Sequence, residues 1–109
     1  MRLRLERFAA GLAAAALCVA ATDVEARGAV HTVVIEGVRY SPASITVKRG
    51  DTVVWVNKDP FPHTVTSRGS FDSKDIPGDG EWKYVARKAG TYDYVCTYHP
   101  NMKGRLKVE

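Results

Sequence analysis

Short runs of β-branched and aromatic residues, separated by turn-forming residues, dominate the chain after residue 30. The run at 52–56, for example, lies between a Lys-Arg-Gly-Asp turn at 48–51 and an Asn-Lys-Asp-Pro turn at 57–60. About seven such runs, with no convincing helical period, are typical of an antiparallel β-sandwich. The runs lie at 33–40, 45–47, 52–56, 63–67, 82–86, 91–96 and 105–108. The longest predicted loop is 70–81, with room for one short helical turn.

The first 26 residues have the organisation of a secretory signal peptide. Three arginines among the first seven residues precede an apolar run at 8–21, and Val24-x-Ala26 fits the cleavage rule. The apolar run is shorter than the ~20 residues that span a bilayer, which argues against an N-terminal membrane anchor. We therefore expect residues 1–26 to be removed and a single domain, 27–109, to be exported to the periplasm. Cleavage after Gly28 and a lipoprotein signal ending at Cys18 are the alternatives.

The charge of the expected mature chain excludes a nucleic-acid stripe. Without residues 1–26 it keeps 13 Lys and Arg and nine Asp and Glu, a formal net charge of +4. The positive residues are scattered, in runs no longer than two. A modest positive charge is still able to steer an acidic partner.

Cys96 is the only cysteine left after that cleavage. In an oxidising compartment a single thiol has no internal disulfide partner and is prone to oxidation or cross-linking. Cys96 is therefore either buried and inert or protected by a metal.

The densest chemical pattern places a thiolate, an imidazole and a thioether three residues apart, at Cys96, His99 and Met102. They follow a predicted strand, in the turn between the last two strands. His63, at the start of another run, is the upstream histidine that a sandwich could bring beside them. Two imidazoles, one thiolate and a weak axial Met are the ligands of blue-copper electron-transfer sites. Zinc also accepts His and Cys but seldom Met, so Met102 favours copper.

The mature chain resembles the cupredoxins, the plastocyanin/azurin family of small blue copper proteins, and is most similar to the amicyanin-like members. The resemblance covers nearly all of residues 31–109 and rests on segments 41–47, 50–57, 62–65, 90–96 and 99–104. It implies a two-sheet Greek-key β-sandwich with one copper ion at one end. It also implies that His63, Cys96 and His99 are the equatorial ligands and Met102 the axial ligand.

Two positions depart from the family pattern, and one histidine has no place in it. Thr64 stands where many relatives have an Asn that ties the two ligand loops together, and Tyr98 stands where Pro often precedes the second His. Both bear on the potential and on loop rigidity. His31 is expected to be a solvated residue near a strand start. If cleavage fell after Gly28, His31 would instead be the third residue of the mature chain, where it could help bind Cu(II).

The expected function is one-electron transfer between protein partners, without an enzymatic activity. The resemblance implies an amine dehydrogenase or a cytochrome c as partner. We expect a monomer with no stable membrane anchor, docking through a mostly apolar surface near His99. The alternative is a module for copper storage or delivery, although the mature chain lacks the extra Met and His residues typical of that role. A multicopper enzyme would need more histidines than the three in this sequence.

Overall fold

The computed structural model describes residues 28–109, so the predicted signal peptide lies outside the described residues. This part of the chain forms nine strands in two sheets. The strands are β1 (Val30–Ile35), β2 (Tyr40–Ser41), β3 (Ser44–Val47), β4 (Thr52–Asn57), β5 (Thr66–Ser67), β6 (Phe71–Asp72), β7 (Glu81–Val85), β8 (Gly90–Cys96) and β9 (His99–Val108). The predicted all-β sandwich is confirmed.

The first sheet has the order β2-β1-β4-β7, with β4 in its interior. β4 reads Thr-Val-Val-Trp-Val-Asn, and most of its side chains are buried. β1 runs parallel to β4, from Val30 opposite Thr52 to Ile35 opposite Asn57. β7 pairs with the other edge of β4 in the antiparallel sense. A strand flanked on both sides suits β-branched residues, because they pack well on a pleated surface.

The second sheet has the order β3-β9-β8-β5-β6 and carries the predicted ligand turn. β8 alternates, so that Tyr94 and Cys96 are buried on the inner face while Asp93 is exposed. This period of two brings the Cys96 side chain inside the sandwich at the end of the strand. We call the end that holds Cys96 and His99 the near end, and the opposite end, where β4 and β8 begin and β9 stops, the far end.

An aromatic cluster fills the space between the sheets. The Trp55 and Tyr94 rings are perpendicular, with centroids 5.5 Å apart, and Trp55 Nε1 donates a hydrogen bond to Tyr94 Oη at 3.2 Å. A Cβ added at Gly104, opposite Tyr94 in β9, would overlap the Tyr94 ring. The rest of the core is mainly aliphatic, and it closes around Cys96 and Met102 at the near end.

Two details of the prediction were wrong. The sandwich is not purely antiparallel, because β1 pairs in parallel with β4 and β3 with β9. There are nine strands rather than about seven, since β2, β5 and β6 have only two residues each. Segment 70–81, the longest predicted loop, contains the two-residue strand β6 and no helical turn.

Among residues 28–109 there is no helix long and apolar enough to cross a membrane.

Candidate metal centre

His63, Cys96 and His99 converge at the near end of the sandwich. One ligand atom from each lies within 4.8 Å of the other two. Cys96 Sγ is 3.6 Å from His63 Nδ1 and 3.8 Å from His99 Nδ1. His63 and Cys96 are fully buried, whereas His99 is half-buried. The sequence prediction that these three residues come together is therefore seen in the structure.

Two separate segments deliver these side chains. Cys96 ends β8 and His99 begins β9, and the two residues face each other across a tight turn where the register shifts. His63 lies before β5, where its backbone N–H and C=O pair with those of Ile76. The chain thus holds His63 by a backbone bridge and the other two residues by a hairpin.

A buried carboxylate, Asp59, fixes the orientation of the His63 ring. Asp59 Oδ2 lies 2.7 Å from His63 Nε2, and the same carboxylate accepts hydrogen bonds from the backbone N–H groups of Gly37 and Val38. Burial alone would raise the pKa of Asp59, but the hydrogen bonds from Val38, Gly37 and His63 outweigh it and keep the pKa below its usual range. An ionised Asp59 keeps the proton on His63 Nε2 and leaves Nδ1, which points at Cys96, free to bind a metal.

Sequence reasoning missed Asp59. It stands four residues before His63 in a stretch assigned to a turn, where an acidic residue is usually solvated. Its hydrogen-bond donors come from the turn between β1 and β2, 22 residues away for Gly37. An acidic residue so close to a predicted ligand histidine was the available clue, because such ligands usually donate their second N–H to a carboxylate or a carbonyl.

Thr64 connects the two ligand segments. Its backbone N–H points at Cys96 Sγ, 3.3 Å away, and its Oγ1 accepts a hydrogen bond from the backbone N–H of Thr97 at 3.0 Å. The first contact stabilises a thiolate, since it places a donor against the sulfur. The second ties the His63 segment to the turn that leads to His99. Thr64 therefore connects the His63 segment both to Cys96 and to the turn that follows it.

Met102 is buried on β9, three residues after His99. It lines a cavity of about 380 Å³ together with Val38, Tyr98, His99, Pro100 and Asn101. Val38, which also lines this cavity, has a left-handed conformation, φ 58°, that is unusual for a β-branched residue. The Asp59 carboxylate accepts the Val38 N–H and thereby helps hold this conformation.

An open cleft of about 380 Å³ lies at the exposed edge of the site. We call the residues that line it the apolar rim: Phe61, Pro62, Tyr98 and His99. Phe61 is 42% exposed, and its ring centroid lies 5.2 Å from that of His63 and 6.3 Å from that of His99. The rim places one ligand candidate, His99, at the surface while the other two are enclosed.

The donors present suit a metal that accepts both nitrogen and sulfur. Cys96 is buried and forms no disulfide, and its sulfur faces two imidazoles instead of apolar groups alone. Within the described part of the chain, this is the one group of three His, Cys, Asp or Glu side chains arranged to hold a metal ion. A soft thiolate with two imidazoles fits copper, and the buried Met102, which lines a cavity together with His99, is a donor type that copper accepts and zinc seldom uses.

His31 lies away from this site and pairs with Asp51. His31 Nε2 is 2.9 Å from Asp51 Oδ2, and the same carboxylate accepts the backbone N–H groups of Lys48 and Ala29. Backbone hydrogen bonding from Lys48, followed by the contact with His31, lowers the pKa of Asp51 to about 2. In this structure the imidazole and the Ala29 amide both bind Asp51, so a copper site at His31 would first have to break these contacts.

Comparison with known proteins identifies the family. The Cupredoxin-like domain family matches residues 8–108. Amicyanin of Paracoccus versutus is 38% identical over 97 residues, which cover 84% of this chain and 72% of that protein. Amicyanin-alpha of Methylorubrum extorquens is 34% identical over 119 residues, which cover 98% of this chain and 100% of that protein.

A solved structure agrees with this result. The Cu(I) form of a methionine-to-alanine variant of amicyanin superposes with a TM-score of 0.70 and 31% identity, over 73% of this chain and 82% of that one. The chain therefore belongs to the cupredoxin family, and its amicyanin-like character, predicted from the sequence, is confirmed.

Proposed function

We propose that this protein is an exported carrier of single electrons, with one copper ion bound by His63, Cys96, His99 and Met102. The observation that carries the proposal is the buried His63, Cys96 and His99 cluster, whose ligand atoms all lie within 4.8 Å of one another. Residues 27–109 would be the functional domain, released into the periplasm after removal of residues 1–26. The similarity to amicyanins supports this reading.

When bound, copper supplies a one-electron couple, Cu(II)/Cu(I). The protein's part is to hold the donors nearly fixed in both oxidation states. Asp59 orients His63, Thr64 ties the two ligand segments together, and β9 anchors His99 and Met102 in one strand. Enclosure of Cys96 and His63 keeps water away from the thiolate.

Electrons would enter and leave through His99, the half-buried ligand inside the apolar rim. A small apolar surface favours brief encounters, which suit a carrier that must dissociate quickly. The resemblance to amicyanin suggests an amine dehydrogenase as donor and a cytochrome c as acceptor, with this protein acting as a monomer. Copper storage, the alternative function, has no support from these relatives.

Met102→Leu tests the axial ligand. We expect the variant to keep its copper and its visible colour but to have a higher reduction potential, because a weak donor that favours Cu(II) is replaced by an apolar group. A loss of about 1.4 kcal/mol from the oxidised state corresponds to roughly 60 mV for one electron. Protein-film voltammetry measures the shift, and an unchanged potential would remove Met102 from the ligand set.

Pro100→Glu tests whether partners dock on the surface around His99, and it separates electron carriage from copper storage. Pro100 is exposed beside His99, so a charge there should slow electron transfer at least fivefold while the visible spectrum stays the same. Stopped-flow mixing of the reduced protein with a c-type cytochrome measures the rate. Ala89→Glu, which adds the same charge in the turn before β8 at the far end, is the matched control and should leave the rate nearly unchanged. Slow transfer by the wild-type protein, together with no effect of Pro100→Glu, would favour storage.

A further inference from the structure

Tyr98 binds the ligand turn, the residues between Cys96 and His99, to a neighbouring segment on the outside of the sandwich. Its hydroxyl donates a hydrogen bond to Asp75 Oδ1 at 2.6 Å, although the Tyr98 side chain is 54% exposed. A hydrogen bond to an ionised acceptor is stronger than one between neutral groups. Tyr98 is thus held in place while much of its ring faces solvent.

Asp75 belongs to a segment that is itself bound to the His63 segment. Ile76, the next residue, pairs with His63 through two backbone hydrogen bonds, of 2.8 and 3.2 Å. At its other end, Ser73 donates its backbone N–H to the carbonyl of Val65, and Ser73 Oγ accepts the N–H of Val65. Segment 73–76 is therefore attached at both ends and provides a firm anchor for Tyr98.

The turn between Cys96 and His99 is consequently tied on two sides. Thr97 is bound to Thr64, and Tyr98 is bound to Asp75. A proline at position 98 would restrict the turn through its own φ angle, whereas a tyrosine leaves φ free. The hydroxyl contact restores a restraint that the backbone of this chain lacks.

We propose that Tyr98 is a positioning residue, whose bond to Asp75 holds the ligand turn, and with it His99, against the segment that carries His63. The inference deepens the proposed function and rests on it. A carrier transfers electrons quickly when its ligands move little between oxidation states. A turn released from Asp75 lets His99 shift on reduction, which slows exchange even though all four proposed ligands are present.

The test uses the copper-loaded protein and the variants Tyr98→Phe, Asp75→Ala and the double variant. Electron self-exchange is measured from NMR line broadening in mixtures of oxidised and reduced protein. Amide hydrogen exchange of Thr97 and His99 is measured in the reduced protein. We expect each single variant to exchange electrons about fivefold more slowly and the amides to exchange up to ~tenfold faster, the factor that one ordinary hydrogen bond represents. The double variant should resemble each single variant, because the two residues act through one bond.

Tyr92→Phe is the matched control. Tyr92 Oη also donates an exposed hydrogen bond, to the backbone carbonyl of Lys88 at 2.7 Å, but at the far end of the sandwich. The same chemical change there should leave electron self-exchange and the Thr97 amide as in the wild type.

Wild-type behaviour of Tyr98→Phe in both measurements would overturn the inference. So would a double variant whose effect is the product of the two single effects, since Tyr98 and Asp75 would then act separately at the docking surface. Failure of the proposed function looks different: the wild-type protein itself would exchange electrons slowly. In that case the amide measurements still decide whether the Tyr98–Asp75 bond holds the turn.

Discussion

Cys96→Ser is expected to give a colourless protein. Intense visible absorption in a site of this kind comes from the bond between a thiolate and Cu(II), and serine offers only a hard oxygen donor. Copper affinity should fall at least a hundredfold for the same reason. The absorption spectrum of the Cu(II)-loaded protein and a competition titration with a Cu(I) chelator measure the two effects.

Val65→Thr is a suitable control for Cys96→Ser. Val65 is fully buried beside Thr64, so this variant also places a hydroxyl in the core near the site, but it removes no donor atom. The control should keep the colour even if it is less stable. A wild-type protein that is colourless and holds one zinc ion in preference to copper would contradict the proposed site.

Asp59→Ala should weaken both the site and the fold. The substitution removes the acceptor for the buried His63 ring and for the N–H groups of Gly37 and Val38, whose hydrogen bonds are partly buried. Loss of such a supporting carboxylate typically costs 10–100-fold in metal affinity. Leaving the His63 donor unpaired in the core should lower the free energy of unfolding by about 1–3 kcal/mol. Chelator competition and denaturant unfolding of the copper-free protein measure these changes.

Asp59→Asn separates the two effects. An asparagine whose oxygen takes the place of Oδ1 still accepts the N–H of Gly37, but the NH₂ group in place of Oδ2 can accept neither the N–H of Val38 nor the proton of His63 Nε2. The NH₂ group favours the other tautomer of His63, in which Nδ1 carries the proton. A protonated Nδ1 cannot bind a metal. We therefore expect most of the affinity loss with a smaller loss of stability. Asp72→Asn, at an exposed carboxylate that accepts the Lys74 N–H, is the control and should change affinity little. Equal affinities for Asp59→Asn and the wild type would show that Asp59 does not orient His63.

Much of the site was visible in the sequence because it is local. Cys96, His99 and Met102 lie within seven residues, at the end of an alternating strand, and any tight turn there brings the first two together. His63 was identified by its place at the start of another strand-like run, which a sandwich could bring beside Cys96, and the structure puts its ring beside Cys96. That these four residues bind the metal stays a prediction, which the substitutions above test.

What the sequence did not show depends on contacts between distant segments. The parallel pairing of β1 with β4 brings the β1–β2 turn to the near end, and only then do Gly37 and Val38 reach Asp59. The role of Thr64 is similar, because a threonine in a strand-like run gives no sign that its hydroxyl accepts a bond from residue 97. Two-residue strands such as β5 and β6 are too short to leave a period in the sequence.

The direction of β9 has a consequence for attaching this protein to a surface. β9 runs from His99 to Val108, and the carbonyl of Ala29 accepts the N–H of Thr52, so both ends of the described chain lie at the far end. Ten residues of strand span about 30 Å. A tether at either end of residues 28–109, to an electrode or to a lipid bilayer, would hold His99 outward and leave the apolar rim free for partners. The same tether would leave the surface itself too distant to exchange electrons with the site.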